Sequence, residues 1–176
     1  MIVRHAWAYA SACPSSVDAW SACMTDFLED YRDVLRPLAG IGVVVRFEPD
    51  SLHGMLFRIP VSRRPSVGVL RDGSWVREDG GRGPDAPSLA RLLVRDRAAA
   101  VRRTAACGSD ADVLRDCLQA AGYGDARGIR MVRRTRGGGW DVTYMDGRGR
   151  AHEAHLRCRD PRRRALEWAD RLDGSE

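Results

Sequence analysis

The side chains best suited to chemistry in this sequence are arginines near its C-terminus. Arg162, Arg163 and Arg164 follow Asp160 and Pro161, a helix cap and a favoured first helical residue, so all three fall in the opening turn of a helix. Cations there oppose the positive end of the helix dipole, at about 0.3–1 kcal/mol each. A bound anion offsets that cost, because backbone N–H groups and guanidiniums then grip the same phosphate. Arg133, Arg134, Arg136, Arg148 and Arg150 flank two glycine-rich turns, Gly137-Gly138-Gly139 and Asp146-Gly147-Arg148-Gly149. With the strand arginines added, the candidate phosphate contacts are Arg130, Arg134, Arg136, Arg148, Arg150, Arg157, Arg162, Arg163 and Arg164.

A second constellation is His152, His155 and Cys158 within AHEAHLRC, with Glu153 as a carboxylate beside them. These are zinc-ligand types, but on a strand positions 152 and 155 point to opposite sides. The spacing also differs from the helical HExxH pattern that brings two imidazoles together. The expectation is a surface His155, a buried Cys158 and no metal. No glycine-rich phosphate loop follows a strand and opens a helix, the lack of lysine excludes a standard P-loop, and no Gly-x-Ser-x-Gly elbow occurs. No catalytic residue and no cofactor are expected.

All 29 basic side chains are arginines, which the codon bias of a GC-rich genome explains without reference to function. That bias acts on the whole chain, however, whereas the charge is unevenly placed. Residues 1 to 126 carry 16 Arg and 16 acids, and residues 127 to 176 carry 13 Arg and 8 acids, so the net +5 lies in the last fifty residues. Between 127 and 164 twelve Arg face only Asp141, Asp146, Glu153 and Asp160. Such asymmetry points to an anionic partner, either duplex DNA or RNA, or an acidic protein met by an adaptor or inhibitor of the kind that phages and mobile elements carry. The five cysteines are odd in number and form no CxxC, so reduced thiols in a cytoplasmic setting are expected. No apolar run reaches the roughly 20 residues of a membrane span. The opening MIVRHAWAYASAC is interrupted by Arg4 and His5, which favours a strand or helix over residues 2 to 10 rather than a secretion signal.

The elements that must position these groups follow from apolar periodicity. Val17, Trp20, Met24, Phe27, Leu28, Tyr31, Leu35 and Leu38 predict a helix over 16–38, closed by Gly40. Strands are expected over 41–47 and 55–61, joined around Pro49, Asp50 and Ser51, and then in SVGVL and SWVRE around an Asp72-Gly73 turn. GGRGPDAP (80–87) reads as a loop, Ser88 as the cap of a helix to Ala106, and Ser109 as the cap of a helix over 110–121. GIRMVRRT, WDVTYM and AHEAHLRC form a meander. Alternation buries Ile129, Met131, Trp140, Val142, Tyr144, Ala154, Leu156 and Cys158, and turns Arg130, Arg134, Asp141, Thr143, Glu153, His155 and Arg157 outward. A last helix from Pro161 covers the sheet with Ala165, Trp168, Ala169 and Leu172. The fold class is α+β, antiparallel meanders packed on helices in two α-β-β-β-α units. The expected division is an N-terminal unit over 1–106, whose role the residues do not indicate, and a basic unit over 110–176.

The order helix, three-stranded meander, helix with Arg162, Arg163 and Arg164 at its start resembles a double-stranded-RNA-binding domain over 110–173. That resemblance implies phosphate contacts across the major groove from the three arginines, although RRTRGGGW stands where the family has Gly-Pro-x-His. The stretch 128–172, with GGGWDVTYMDGRGR and Ala-Leu-Glu-Trp, also resembles the arm-binding domain of phage-type integrases. It implies a sheet laid in the DNA major groove with Arg130, Arg134 and Arg157 as readers, while Asp141 and Glu153 share that face.

Overall fold

A computed structural model describes residues 29–50, 54–58, 67–70 and 72–174. The expected element over 2–10 and the first half of the 16–38 helix, with Val17, Trp20, Met24, Phe27 and Leu28, lie outside the described residues. The chain enters view in helix α1 (29–35), followed by a 3-10 turn Arg36–Ile41. Five strands come next: β1 (Arg46–Asp50), β2 (Gly54–Arg58), β3 (Val67–Val69), β4 (Trp75–Arg77) and β5 (Arg82–Gly83). Helices α2 (Ala86–Cys107) and α3 (Asp110–Ala120) precede β6 (Arg127–Arg134), β7 (Trp140–Met145) and β8 (Ala151–Leu156), and α4 (Pro161–Asp173) ends the fold. The architecture is α+β, with two antiparallel meanders, β1-β2-β3-β4-β5 and β6-β7-β8.

Two compact units divide at Leu89 and Ala90, and residues 37–43 belong with the second. The expected division near Gly108 therefore falls inside the second unit. The reason is the apolar stripe of α2: Ala98, Val101 and Ala105 share one buried cluster with Val113, Leu114, Leu118, Val142, Tyr144, Leu156, Ala165, Trp168 and Ala169.

In the first unit the Tyr31 hydroxyl donates to the Gly73 carbonyl at 2.8 Å, and burial pushes its pKa above the ordinary phenol value. The Asp72-Gly73 turn forms as expected: Gly73 takes φ +79°, and the Asp72 carboxylate accepts from the Ser74 backbone N–H at 3.0 Å. The segment read as a loop instead supplies β5, which pairs with β4. There Gly83 allows a close approach, since a Cβ would lie 2.5 Å from Ser88 Oγ and 2.7 Å from the Trp75 ring. The cap of α2 is Asp85 rather than Ser88. Asp85 Oδ1 accepts from the Ser88 N–H at 2.8 Å, and Ser88 Oγ accepts in return from the Asp85 N–H at 3.3 Å.

The expected strand over 41–47 begins only at Arg46, in the first unit, and Pro49 and Asp50 lie in the strand rather than in a turn. Residues 41–43 close the 3-10 turn instead, with the Val43 N–H on the Leu38 carbonyl at 3.0 Å. Gly42, not Gly40, is the residue at positive φ (+81°). Its bare Cα lets the amide of Gln119 approach, for a Cβ there would overlap that group. Ser109 caps α3 as expected, accepting from the Asp112 N–H at 3.2 Å, and Asp160 caps α4, accepting from the Arg163 N–H at 3.0 Å.

Candidate functional site

The site is built on the three-stranded sheet. β7 pairs with both neighbours, and the register sets Arg133, Asp141 and His155 in one row and Met131, Thr143 and Glu153 in the next. A register shift between Arg127 and Met131 decides which β6 residues face outward. Ile129 and Val132 both pack against the core, three positions apart rather than two. Met131, expected in the core, is instead 49% exposed. Arg134, expected outward, lies on the Trp140 side of the sheet with its guanidinium 5.6 Å from that ring. The remaining outward assignments hold for Asp141, Thr143, Glu153 and His155, which line a shallow depression of about 320 Å³ with Met131 and Arg133.

On that outer face Asp141 engages both Arg133 and His155. Arg133 Nη2 donates to Asp141 Oδ2 at 3.0 Å, and His155 Nδ1 lies 2.8 Å from Asp141 Oδ1. The His155 contact first, and the Arg133 contact second, hold the Asp141 carboxyl below the usual carboxylate range. His152, the other candidate ligand, pairs elsewhere: its Nε2 is 3.0 Å from Asp146 Oδ2, and its ring stacks on Tyr144 at 5.6 Å between centroids. Among the described residues no group of three or more His, Cys, Asp or Glu is placed to hold a metal ion.

The antiparallel order separates the predicted arginines into two ends. The end of β6, the start of β7 and the end of β8 lie together, and four residues separate β8 from the start of α4. Arg136 in the β6–β7 turn, Arg157 and Arg159 after β8, and Arg163 and Arg164 in the first turn of α4 therefore belong to segments that meet at this end. Contact between the two segments is close, for a Cβ on Gly138 would lie 3.4 Å from Arg159 Cγ. The Gly137–Gly139 turn, His155, Arg157, Cys158 and Arg159 line a depression of about 280 Å³ at this end. Arg148 and Arg150 stand at the opposite end, in the β7–β8 turn. Asp146 organises that turn by accepting from the Arg150 and Arg148 backbone N–H groups at 2.9 and 2.8 Å and from Arg150 Nε at 2.9 Å. Arg130 is exposed beside the register shift.

The helix-start triplet does not act as a unit. Arg162 donates to the Ala105 and Gly108 carbonyls at 2.7 and 3.1 Å, closing the C-terminal end of α2. Arg163 pairs with Glu167 at 2.9 Å, one helical turn on. Arg164 is exposed. Arg136, Arg157, Arg159 and Arg164 have no ion pair among the described residues. Arg159 carried no motif and was missed by the sequence reading; its placement depends on the path of the chain between β8 and α4.

Behind the sheet lies a buried network equally absent from the sequence reading. Asp116 is fully buried and accepts from Arg97 Nη2 at 2.5 Å; Arg97 Nε donates to the Ile41 carbonyl at 2.8 Å, and Nη2 also contacts Gln119 Oε1. The guanidinium sits 5.2 Å from the Trp168 ring centroid. Asp116 Oδ2 and Trp140 Nε1 have no hydrogen-bond partner among the described residues.

No protein family, no curated protein and no solved structure matches the chain.

Proposed function

We propose that this protein binds duplex nucleic acid without catalysing a reaction on it, gripping phosphates at the end of the sheet formed by the β6–β7 turn and the β8–α4 joint. One observation carries the reading: Arg136, Arg157, Arg159 and Arg164 are exposed, have no ion pair among the described residues, and belong to two segments, the β6–β7 turn and the β8–α4 joint, that meet at one end of the sheet. Four guanidiniums at the tip of a meander suit a regularly spaced row of phosphates. Arg163 joins them by exchanging Glu167 for a phosphate, while Arg162 orders α4 beneath them. Arg148 and Arg150, at the other end, contribute less.

The test is binding to duplex DNA, duplex RNA and single strands across a salt series. Neutralising four phosphates predicts a log–log slope of roughly −3.5, and Arg157→Ala, Arg159→Ala and Arg164→Ala together should reduce its magnitude by about 2.7. Arg148→Ala should leave the slope nearly unchanged, well short of the roughly 0.9 that one phosphate contact contributes. A complete lack of binding at low salt overturns the reading, and the comparison of duplexes selects DNA or RNA.

A further inference from the structure

His155 stands where the outer face of the second sheet meets its arginine-bearing end, and it lines the depressions at both. Its Nδ1 lies 2.8 Å from Asp141 Oδ1, and Arg133 donates to the other oxygen of that carboxylate at 3.0 Å. Asp141 is ionised at neutral pH, held so first by His155 and then by Arg133, so Nδ1 carries a proton and donates. The imidazole edge that bears Nε2 packs on the bare Cα of Gly139, where a Cβ would lie 3.0 Å from both Cε1 and Nε2. With one nitrogen fixed by a carboxylate and one edge by a glycine, the ring is held in place although its side chain is 48% exposed. Nε2 has no hydrogen-bond partner among the described residues, and the depression of about 280 Å³ that it borders is also lined by Arg157 and Arg159.

The geometry points to His155 as a proton-dependent phosphate contact: its imidazolium, anchored through Nδ1 on Asp141, donates from Nε2 to an oxygen of the backbone phosphate that Arg157 or Arg159 also grips. The inference rests on the nucleic-acid reading above and adds to it a proton taken up on binding. In the neutral ring Nε2 is a lone pair turned toward a phosphate oxygen, whereas in the charged ring it is a donor. A phosphodiester keeps its single negative charge across the range in which imidazoles titrate, so the protein sets the pH dependence. The charged and titratable groups around the ring are Asp141 on β7, Arg133 beyond it on β6, and Glu153 on the same strand and face. Arg157, Cys158 and Arg159 border it where the chain leaves β8, and Thr135 and the glycines of the turn that carries Arg136 line the same depression. Asp141 and Glu153 attract a proton to the ring and the guanidiniums repel it; a phosphate beside Nε2 adds a third anion. Affinity is therefore greater below the imidazole range and falls as pH rises through it.

The test measures binding of a labelled duplex DNA, and of the duplex RNA of the same sequence, at one low salt concentration and at about pH 5.5, 7 and 8.5, on either side of the ordinary imidazole value. The unmutated chain and His152→Gln should bind roughly three- to tenfold more tightly at the lowest pH than at the highest, the share of one charge-assisted hydrogen bond at an exposed site. His155→Gln should lose that difference while still binding through the arginines. In a second measurement, the Cε1 proton resonance of His155, assigned by its loss in His155→Gln, should move toward its low-pH position when duplex is added to the unmutated chain at about pH 7. A difference that survives in His155→Gln, or a resonance that the duplex leaves on the titration curve of the free protein, overturns the contact. Duplex bound equally at every pH removes His155 and leaves the arginine reading intact, whereas no binding at any pH overturns the nucleic-acid reading itself, and the contact with it.

Discussion

The guanidinium of Arg162 donates to the carbonyl of Ala105 at 2.7 Å, so the first arginine of the α4 triplet holds the end of α2. A second bond to the Gly108 carbonyl and a longer contact to Asp110 Oδ1 at 3.4 Å keep it there. The charge is thus placed at the negative end of one helix dipole, which offsets its position at the positive end of another.

Arg162→Ala should accordingly cost stability rather than ligand affinity. Loss of a charge-assisted contact to two end carbonyls, at a partly exposed site, predicts about 1–2 kcal/mol in urea denaturation. Arg164→Ala should stay within about 0.5 kcal/mol, as expected of an exposed side chain outside any network. Equal losses in the two variants would mean that the Arg162 contacts contribute nothing to holding α2.

Asp116→Ala should be among the most damaging single changes in the second unit. It leaves the Arg97 guanidinium without its carboxylate in the core, a loss of about 3–5 kcal/mol. Replacing both partners, Arg97→Met with Asp116→Leu, should recover most of that, because apolar side chains of similar volume need no pairing. A double variant as unstable as Asp116→Ala would show that the Ile41, Gln119 and Trp168 contacts of Arg97 matter more than its charge pair.

Acid should loosen the β7–β8 turn. The Arg150 backbone N–H first, then His152 with the Arg150 side chain and the Arg148 N–H, hold the Asp146 carboxyl well below the ordinary carboxylate value. A depressed folded pKa means that the stabilisation is complete above the unfolded value of about 4 and is lost as pH falls below it toward the folded value. Asp141, held down by His155 and Arg133, adds to the same limb. Asp146→Asn should therefore flatten the fall in stability between about pH 4 and pH 2, measured as urea midpoints. An unchanged acid limb would mean that Asp146 keeps the same pKa in the folded and unfolded chain.

Much of the second unit was legible because its signals are local. Ser109, Asp160-Pro161, the glycine turns and the β7 and β8 alternation each specify an element within a few residues, and each element formed where expected. What escaped depended on distant partners. Asp116 and Gln119 lie within an ordinary helical stripe, and only the approach of Arg97 and Gly42 makes them a buried network. Val43 belongs to a β-branched run, yet the turn made by Leu38 and Gly42 takes it out of any strand. The convergence of Arg136 with Arg157 and Arg159 needs the sheet order, which arginine counts do not contain.

The register shift in β6 provides the sharpest separation of pattern from packing. Strict alternation from Ile129 would bury Met131 and expose Val132, whereas the shift exposes Met131 and packs Val132 against the core. Met131→Ala should therefore change stability by less than about 0.5 kcal/mol, as at an ordinary surface position. Val132→Ala removes methyl groups from a partly buried site and should cost roughly 1–2 kcal/mol. Urea denaturation of the two variants decides the matter, since the reverse order would place β6 in regular alternation. Regular alternation would also carry Arg134 from the Trp140 ring to the outer face, beside Asp141, and change which guanidiniums the end of the sheet presents to an anion.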